Sequence, residues 1–194
     1  GQDLSAAEIE ARHQMRQIVD LLTSEIPFFR GATLYSIAPQ IGVRESRRIL
    51  GREYVTLDDY RVGRRYPDAI ECVNYNVDIH SPDGSGTLHI RLPKTAWYEI
   101  PFGCLVPRDV DNLLIASRCI SVDHAVHSSV RIMAPVCSLG QAAGTAAALA
   151  VRHGIDPVDL DRADLLRRLR SQGRYLPAFD PEKQLTNPDG ATTN

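Results

Sequence analysis

Several motifs that would settle a function at once are missing from the chain. It has no G-x-G-x-x-G turn to cradle a dinucleotide pyrophosphate, no H-E-x-x-H zinc helix, and no C-x-x-C pair. The four cysteines, at 72, 104, 119 and 137, are too sparse for a disulfide framework and lack zinc-type spacing, so no metal site is expected from them. Charge of one sign is also missing: 22 Lys and Arg stand against 24 Asp and Glu, a net charge of −2, which leaves no basic field for nucleic acid. The longest small-apolar run, Ala142 to Val151, falls short of the ~20 residues a membrane-spanning helix needs. No signal peptide opens the chain. Gly1-Gln2-Asp3 reads as a processing boundary, so the compartment stays open.

What is present reads as an α/β chain, mixed α+β in detail. Ser5 and Glu8 fit a capping box for a first helix carried by Met15, Ile18, Val19 and Leu22 and ended by Pro27. Thr33 to Ile37 and Arg47 to Leu50 are short strand candidates, and Thr56 with Asp59 predicts a short helix. Val77 to His80 and Thr87 to Leu92 alternate around a glycine-containing turn and predict a hairpin; Trp97 to Ile100 is a further strand stopped by Pro101. Tyr75, Trp97, Tyr98 and Phe102 concentrate aromatic area there, as core or as a pocket wall.

The last third is more apolar. Leu113-Leu114-Ile115-Ala116 has the continuous apolar character of a strand buried on both faces. A polar loop follows, then a helix from about Ala134 to His153 with Gly154 just beyond it. A final amphipathic helix is expected over about Asp161 to Ser171, and a polar, proline-bearing tail from Pro177. The long helix carries Gly140, Ala142, Ala143, Gly144, Ala146, Ala147 and Ala148. Each helical glycine costs about 1 kcal/mol relative to alanine, so close approach of a backbone or a ligand is implied. The amino end of that helix offers free N–H groups and partial positive charge to an electron-rich ligand edge.

Asn112 to Ser121, Ser128 to Met133 and Gly140 to Leu149 together resemble the C-terminal FAD motif of FAD-dependent oxidoreductases related to the fumarate reductase and glutathione reductase superfamily. Ile41 to Ile49 with Gly51 resembles the same family's upstream signature. Tyr66 to Ile70, Asp78 to His80 and Tyr98 to Pro101 follow in the family's order, so the likeness spans about residues 5–176. It departs from the family at Ser117 and Ser128, where glycines are usual.

The resemblance implies the C-terminal part of a Rossmann-type FAD domain joined to part of a β-rich substrate domain. Residues 1–30 would be an N-terminal helix, 31–108 substrate domain, 109–176 the FAD-binding segment and 177–194 a tail. The phosphate-binding start of the fold would come from a missing N-terminal portion or subunit, without which the fragment is inactive. The expected activity is transfer of a hydride between a small organic substrate and FAD, with no nucleic-acid partner and no membrane span. Cofactor contacts are expected from Arg44 (with Arg47 as a second choice), Ser117, Arg118 and Cys119, and from Val130, Arg131, Ile132 and Met133. Gly140, Gln141 and Gly144 are expected to pack. The proton that accompanies hydride transfer needs a group titrating near neutrality. His124 and His127 rank first, then His80 and His89, with Tyr98 behind them. Two other readings stand beside this one: a binding or assembly module for carbohydrate on the aromatic hairpin, and a metal-dependent hydrolase using Asp123, His124 and His127. The second requires residues 122–129 to be helical, whereas they read as loop.

Overall fold

The computed structural model describes residues 1–80, 86–93 and 96–177. The expected hairpin turn at 82–86 and the tail lie mostly outside these. Contacts divide the chain into two units, Gly1–Ser46 and Arg47–Asn194. In the first unit, α1 spans Gln2–Glu25 and a 3-10 turn spans Pro27–Phe29. The expected capping box does not form: the helix begins four residues earlier, with Gly1 at the cap position, the Ser5 N–H donates to the Gly1 carbonyl (3.1 Å), and Glu8 instead accepts the Ile41 N–H (2.6 Å). That tie, with Arg12 donating to the Pro39 carbonyl (3.4 Å), lays residues 39–41 on α1. Thr33 to Ile37 forms no strand, because no neighbouring segment supplies ladder partners among the described residues.

The second unit holds the core. In chain order it contains α2 (Leu57–Arg61), β1 (Ala69–Val73), β2 (Val77–His80), β3 (Thr87–Ile90), β4 (Tyr98–Pro101), α3 (His124–Val130), α4 (Met133–His153) and α5 (Arg162–Ser171). Thr56 and Asp59 make the predicted capping box at α2. β1 pairs antiparallel with β4, and β2 with β3. Tyr98 and Phe102 are fully buried beside Ile70, Ile100, Val126, Val130, Leu139 and Leu165, so these two aromatics are core. Trp97 carries the Arg65 guanidinium 3.8 Å above its ring. The fold is therefore mixed helix with small antiparallel sheets.

Short extended segments stitch this unit together without regular strands. Ile49 donates to the Cys119 carbonyl (2.9 Å), Arg52 to Val106 (2.9 Å), Arg108 to Leu50 (3.0 Å) and Ser121 to Cys104 (3.0 Å). Gly51 sits at the crossing. A Cβ there would stand 2.7 Å from both the Gly103 oxygen and the Ser121 Cβ, closer than real contacts allow, so only glycine fits. Leu113 to Ala116, expected as a buried strand, is extended but unladdered: Ile115 donates to the Leu105 carbonyl (2.9 Å), and Leu113 is 42% exposed. A strand of that kind needs ladders on both edges, and among the described residues this single bond to Leu105 does not make one.

α4 starts at Met133 and ends on Gly154 in the left-handed conformation (φ 65°), with Arg152 and His153 in its last turn. Leu139, Ala142, Ala143, Ala146 and Ala150 face the core, while Gly144, Ala147, Ala148 and Val151 are exposed. At 21 residues it is long and apolar enough to cross a membrane by length and composition, which the run read from Ala142 had not implied. One such helix is weak support for a span, since core helices pass the same test. Asp161 caps α5 by accepting the Ala163 N–H (3.0 Å), and Leu165, Leu166 and Leu169 bury its predicted face.

Candidate active site

Residues 117–133, read from sequence as a loop, contain a helix. Ser117 Oγ accepts the Cys119 N–H (3.0 Å) and turns the chain, and Val122 bridges in parallel to Val55. Asp123 then caps two helices at once: Oδ1 accepts the Val126 N–H (2.7 Å) at the start of α3, and Oδ2 accepts the Leu57 N–H (2.6 Å) at the start of α2. The sequence signal for this cap was an aspartate three residues ahead of a valine, easily lost in a polar stretch. His124 opens α3 and is exposed; His127, one turn on, is 1% exposed. The helical spacing that a metal-dependent hydrolase requires therefore exists, yet no group of three metal-ligating side chains occurs among the described residues.

His127 is electrostatically distinctive. Burial first, and then the positive charges of Arg48, Arg131, His124 and Arg118, push its pKa down to about 4. It is a neutral imidazole at neutral pH, suited to hydrogen bonding and not to donating a proton. The hydrogen bond between Ile49 and Cys119 sets Arg48 and Arg118 on adjacent segments, and Arg131 follows α3 directly. These cations thus gather around His127. Arg48 was not among the sequence candidates, since nothing in a polar run marks which arginine will face inward.

Of the other expected contacts, Arg118 is exposed, Ser117 and Cys119 are half-buried, and Val130 is fully enclosed in the core, where it packs against protein. Arg44 lies in the first unit and is exposed. The serines at the family's glycine positions carry no strain, because among the described residues the one non-glycine with positive φ is Asn112. Ser128 does something a glycine cannot: its Oγ accepts the Asp78 N–H (3.0 Å) and donates to the Ala125 carbonyl (2.7 Å). Arg131 Nη2 donates to the Asp78 carbonyl (3.3 Å). The β2–β3 hairpin is thereby fastened to α3 and to the residue two places ahead of α4.

The amino end of α4 is open. Ile132, in extended conformation (φ −76°, ψ 161°), provides no side-chain cap, and Met133 is 86% exposed. Val136 N–H is engaged by the Ile132 carbonyl (3.2 Å), and Pro135 has no N–H. Met133 and Ala134 therefore hold two adjacent N–H donors without an acceptor among the described residues. Along the exposed side of the helix, Gly144 and Ala147 line an open groove of about 360 Å³ with Leu114 and Ala116. Gly140 and Gly144 have empty space where a Cβ would stand, so nothing in the described chain requires them to be glycine.

No curated protein and no solved structure matches the chain. The model of the FAD dependent oxidoreductase family matches residues 1–169, nearly the whole length, and FAD is that family's cofactor. The chain belongs to the FAD dependent oxidoreductase family.

Proposed function

We propose that this chain forms the ring-facing end of an FAD site and that the protein transfers a hydride between a small organic substrate and the flavin. The observation that carries the reading is the open start of α4, where the Met133 and Ala134 N–H donors stand together without a side-chain cap. Two donors side by side, at the positive end of a 21-residue helix, fit the paired acceptors of a flavin N1–C2=O edge. A bound flavin supplies the two-electron chemistry; the protein's part is to hold it and favour charge on that edge. Arg48, Arg118 and Arg131 add positive potential around His127, which is itself neutral.

An upstream portion of Rossmann type, bearing the phosphate-binding turn, would complete the site. Two features support this: the unladdered Leu113 to Ala116 segment, and the unoccupied glycine side of α4 beside it. A strand and a helix packed there would satisfy both.

The substitution Met133→Pro tests the reading with little risk to the fold. Proline suits a first helical position, and Ile132 already has the extended conformation that a residue before proline adopts. In the full-length protein, the wild type should be purified yellow, and M133P should stay folded. Losing one charge-assisted hydrogen bond to the reduced ring should lower the flavin potential by about 30–60 mV. A wild type without flavin, or a variant with an unchanged potential, would refute the reading.

A further inference from the structure

We propose that His89 is the proton-accepting residue of this oxidoreductase, that Asp78 positions it, and that His80 is excluded from that role. The chemistry assumed is that of the preceding subsection, whereas the geometry stands independently of it. The antiparallel register sets Asp78 opposite His89 and His80 opposite Thr87. Because side chains alternate along a strand, these four polar residues share one face of the hairpin, with Val77, Ile79, Leu88 and Ile90 on the other.

On that face a single carboxylate addresses two imidazoles through opposite ring nitrogens. Asp78 Oδ2 lies 3.5 Å from His80 Nε2, and Asp78 Oδ1 lies 3.5 Å from His89 Nδ1. Oδ1 is buried and makes no aligned hydrogen bond, so His89 Nδ1 is its nearest complement. The second nitrogen of His80 is also occupied, since Thr87 Oγ1 stands 3.3 Å from Nδ1. His89 differs. Its Nδ1 faces the carboxylate, its side chain is 54% exposed, and its Nε2 has no partner among the described residues.

A carboxylate beside Nδ1 holds the ring proton there, which leaves a bare lone pair on Nε2. His89 is therefore arranged as a base, and Asp78 stabilises the imidazolium once it forms. The backbone of Asp78 is fixed on both sides, by Ser128 at its N–H and by Arg131 at its carbonyl, which ties the pair to the residues leading into α4. His127, at 1% exposure, is too enclosed to meet a substrate.

The substrate class that follows is a small molecule with a C–H next to an O–H or N–H. On oxidation, the hydrogen and its bonding electron pair leave carbon as hydride to the oxidised flavin. The O–H or N–H bond breaks, its electron pair forms the C=O or C=N bond, and the proton moves to His89 Nε2.

Nitrogen-15 NMR of the full-length, histidine-labelled protein at a pH where imidazoles are neutral tests the geometry without any substrate, with H89Q and H80Q assigning the signals. The expected result is a His89 ring protonated on Nδ1 and bare on Nε2, with His80 the reverse, and a shift of His89 to the Nε2–H tautomer in D78N. A wild-type His89 carrying its proton on Nε2, or no response to D78N, overturns the proposal. A kinetic arm follows anaerobic bleaching of the bound flavin by glycolate, benzyl alcohol and benzylamine. At a pH where imidazoles are neutral, H89Q should slow reduction by about 100-fold or more, while H80Q stays within about threefold of wild type. Equal slowing by both substitutions overturns the proposal. A yellow wild type that none of the three probes bleaches counts against the hydride reading and leaves His89 to the NMR result.

Discussion

The Asp78 N–H donates to Ser128 Oγ at 3.0 Å, and this one bond joins the β2–β3 hairpin to the helix that leads into α4. Strand β2 packs against α3, and Arg131 adds a second tie through the Asp78 carbonyl (3.3 Å). Tyr60 contributes from beneath, its hydroxyl donating to the Ile90 carbonyl (2.7 Å) and accepting the Val77 N–H (3.3 Å).

Replacing Ser128 with glycine, the residue usual in the family, should therefore loosen the hairpin. The expected loss is about 1–2 kcal/mol, from an unmet Asp78 N–H together with a glycine inside a helix. Hydrogen exchange should show the Asp78 amide losing protection more than the β1–β4 amides do. Uniform loss across both sheets would mean that the serine serves the whole core instead.

Acid should destabilise the protein through His127. Its folded pKa of about 4 lies below the ordinary 6.5. As pH falls from about 6.5 toward 4, the unfolded chain takes up a proton that the folded chain refuses. Stability from this group is thus complete above about pH 7 and declines through that window, by an amount on the order of 3 kcal/mol. Denaturant melts between pH 4 and 8 should show the slope in the wild type and a flatter profile in His127→Asn. An identical slope in the variant would assign the acid sensitivity to other groups.

Arg174 reaches back from beyond α5 to the Glu71 carboxylate on β1, to the Ile70 carbonyl (3.1 Å) and to Ser138 on α4. Both members of the pair are largely buried, with 15% and 10% of their side chains exposed. Arg174→Met should leave Glu71 without its cation and destabilise the fold by about 3 kcal/mol or more. The double variant Arg174→Met with Glu71→Leu should recover much of that loss, because the penalty comes from the stranded carboxylate. Chemical denaturation of the two variants reads both values, and a double variant no better than the single one would contradict the account.

Elements fixed by local rules were legible in the chain. α2 has its capping box, α4 its small apolar residues and left-handed Gly154, α5 its leucine face, and the hairpin its alternation. The family motifs carried the cofactor, since the FAD signature is a contiguous run of residues. Elements that depend on distant partners were misread. The Leu113 to Ala116 run is apolar enough for a buried strand, yet a strand exists through its neighbours. α3 has the opposite history: two serines, two valines and two histidines among its seven residues are weak helix formers, and the helix is held by the Asp123 cap and by burial of Val126 and Val130.

The sequence by itself determined the family, its flavin-dependent class of chemistry and the cofactor, because these reside in short motifs, and it determined the long small-residue helix through its apolar run and terminal glycine. Tertiary structure alone decided which histidine is sealed and which is offered. His124, His127, His80 and His89 look alike as letters; the burial of His127, and the ring nitrogen that His80 and His89 each turn toward Asp78, are set by strand register and by contacts across tens of residues. The same holds for Gly51, whose need to lack a side chain comes from Ser121 and Gly103, residues it meets only once the chain has folded back on itself.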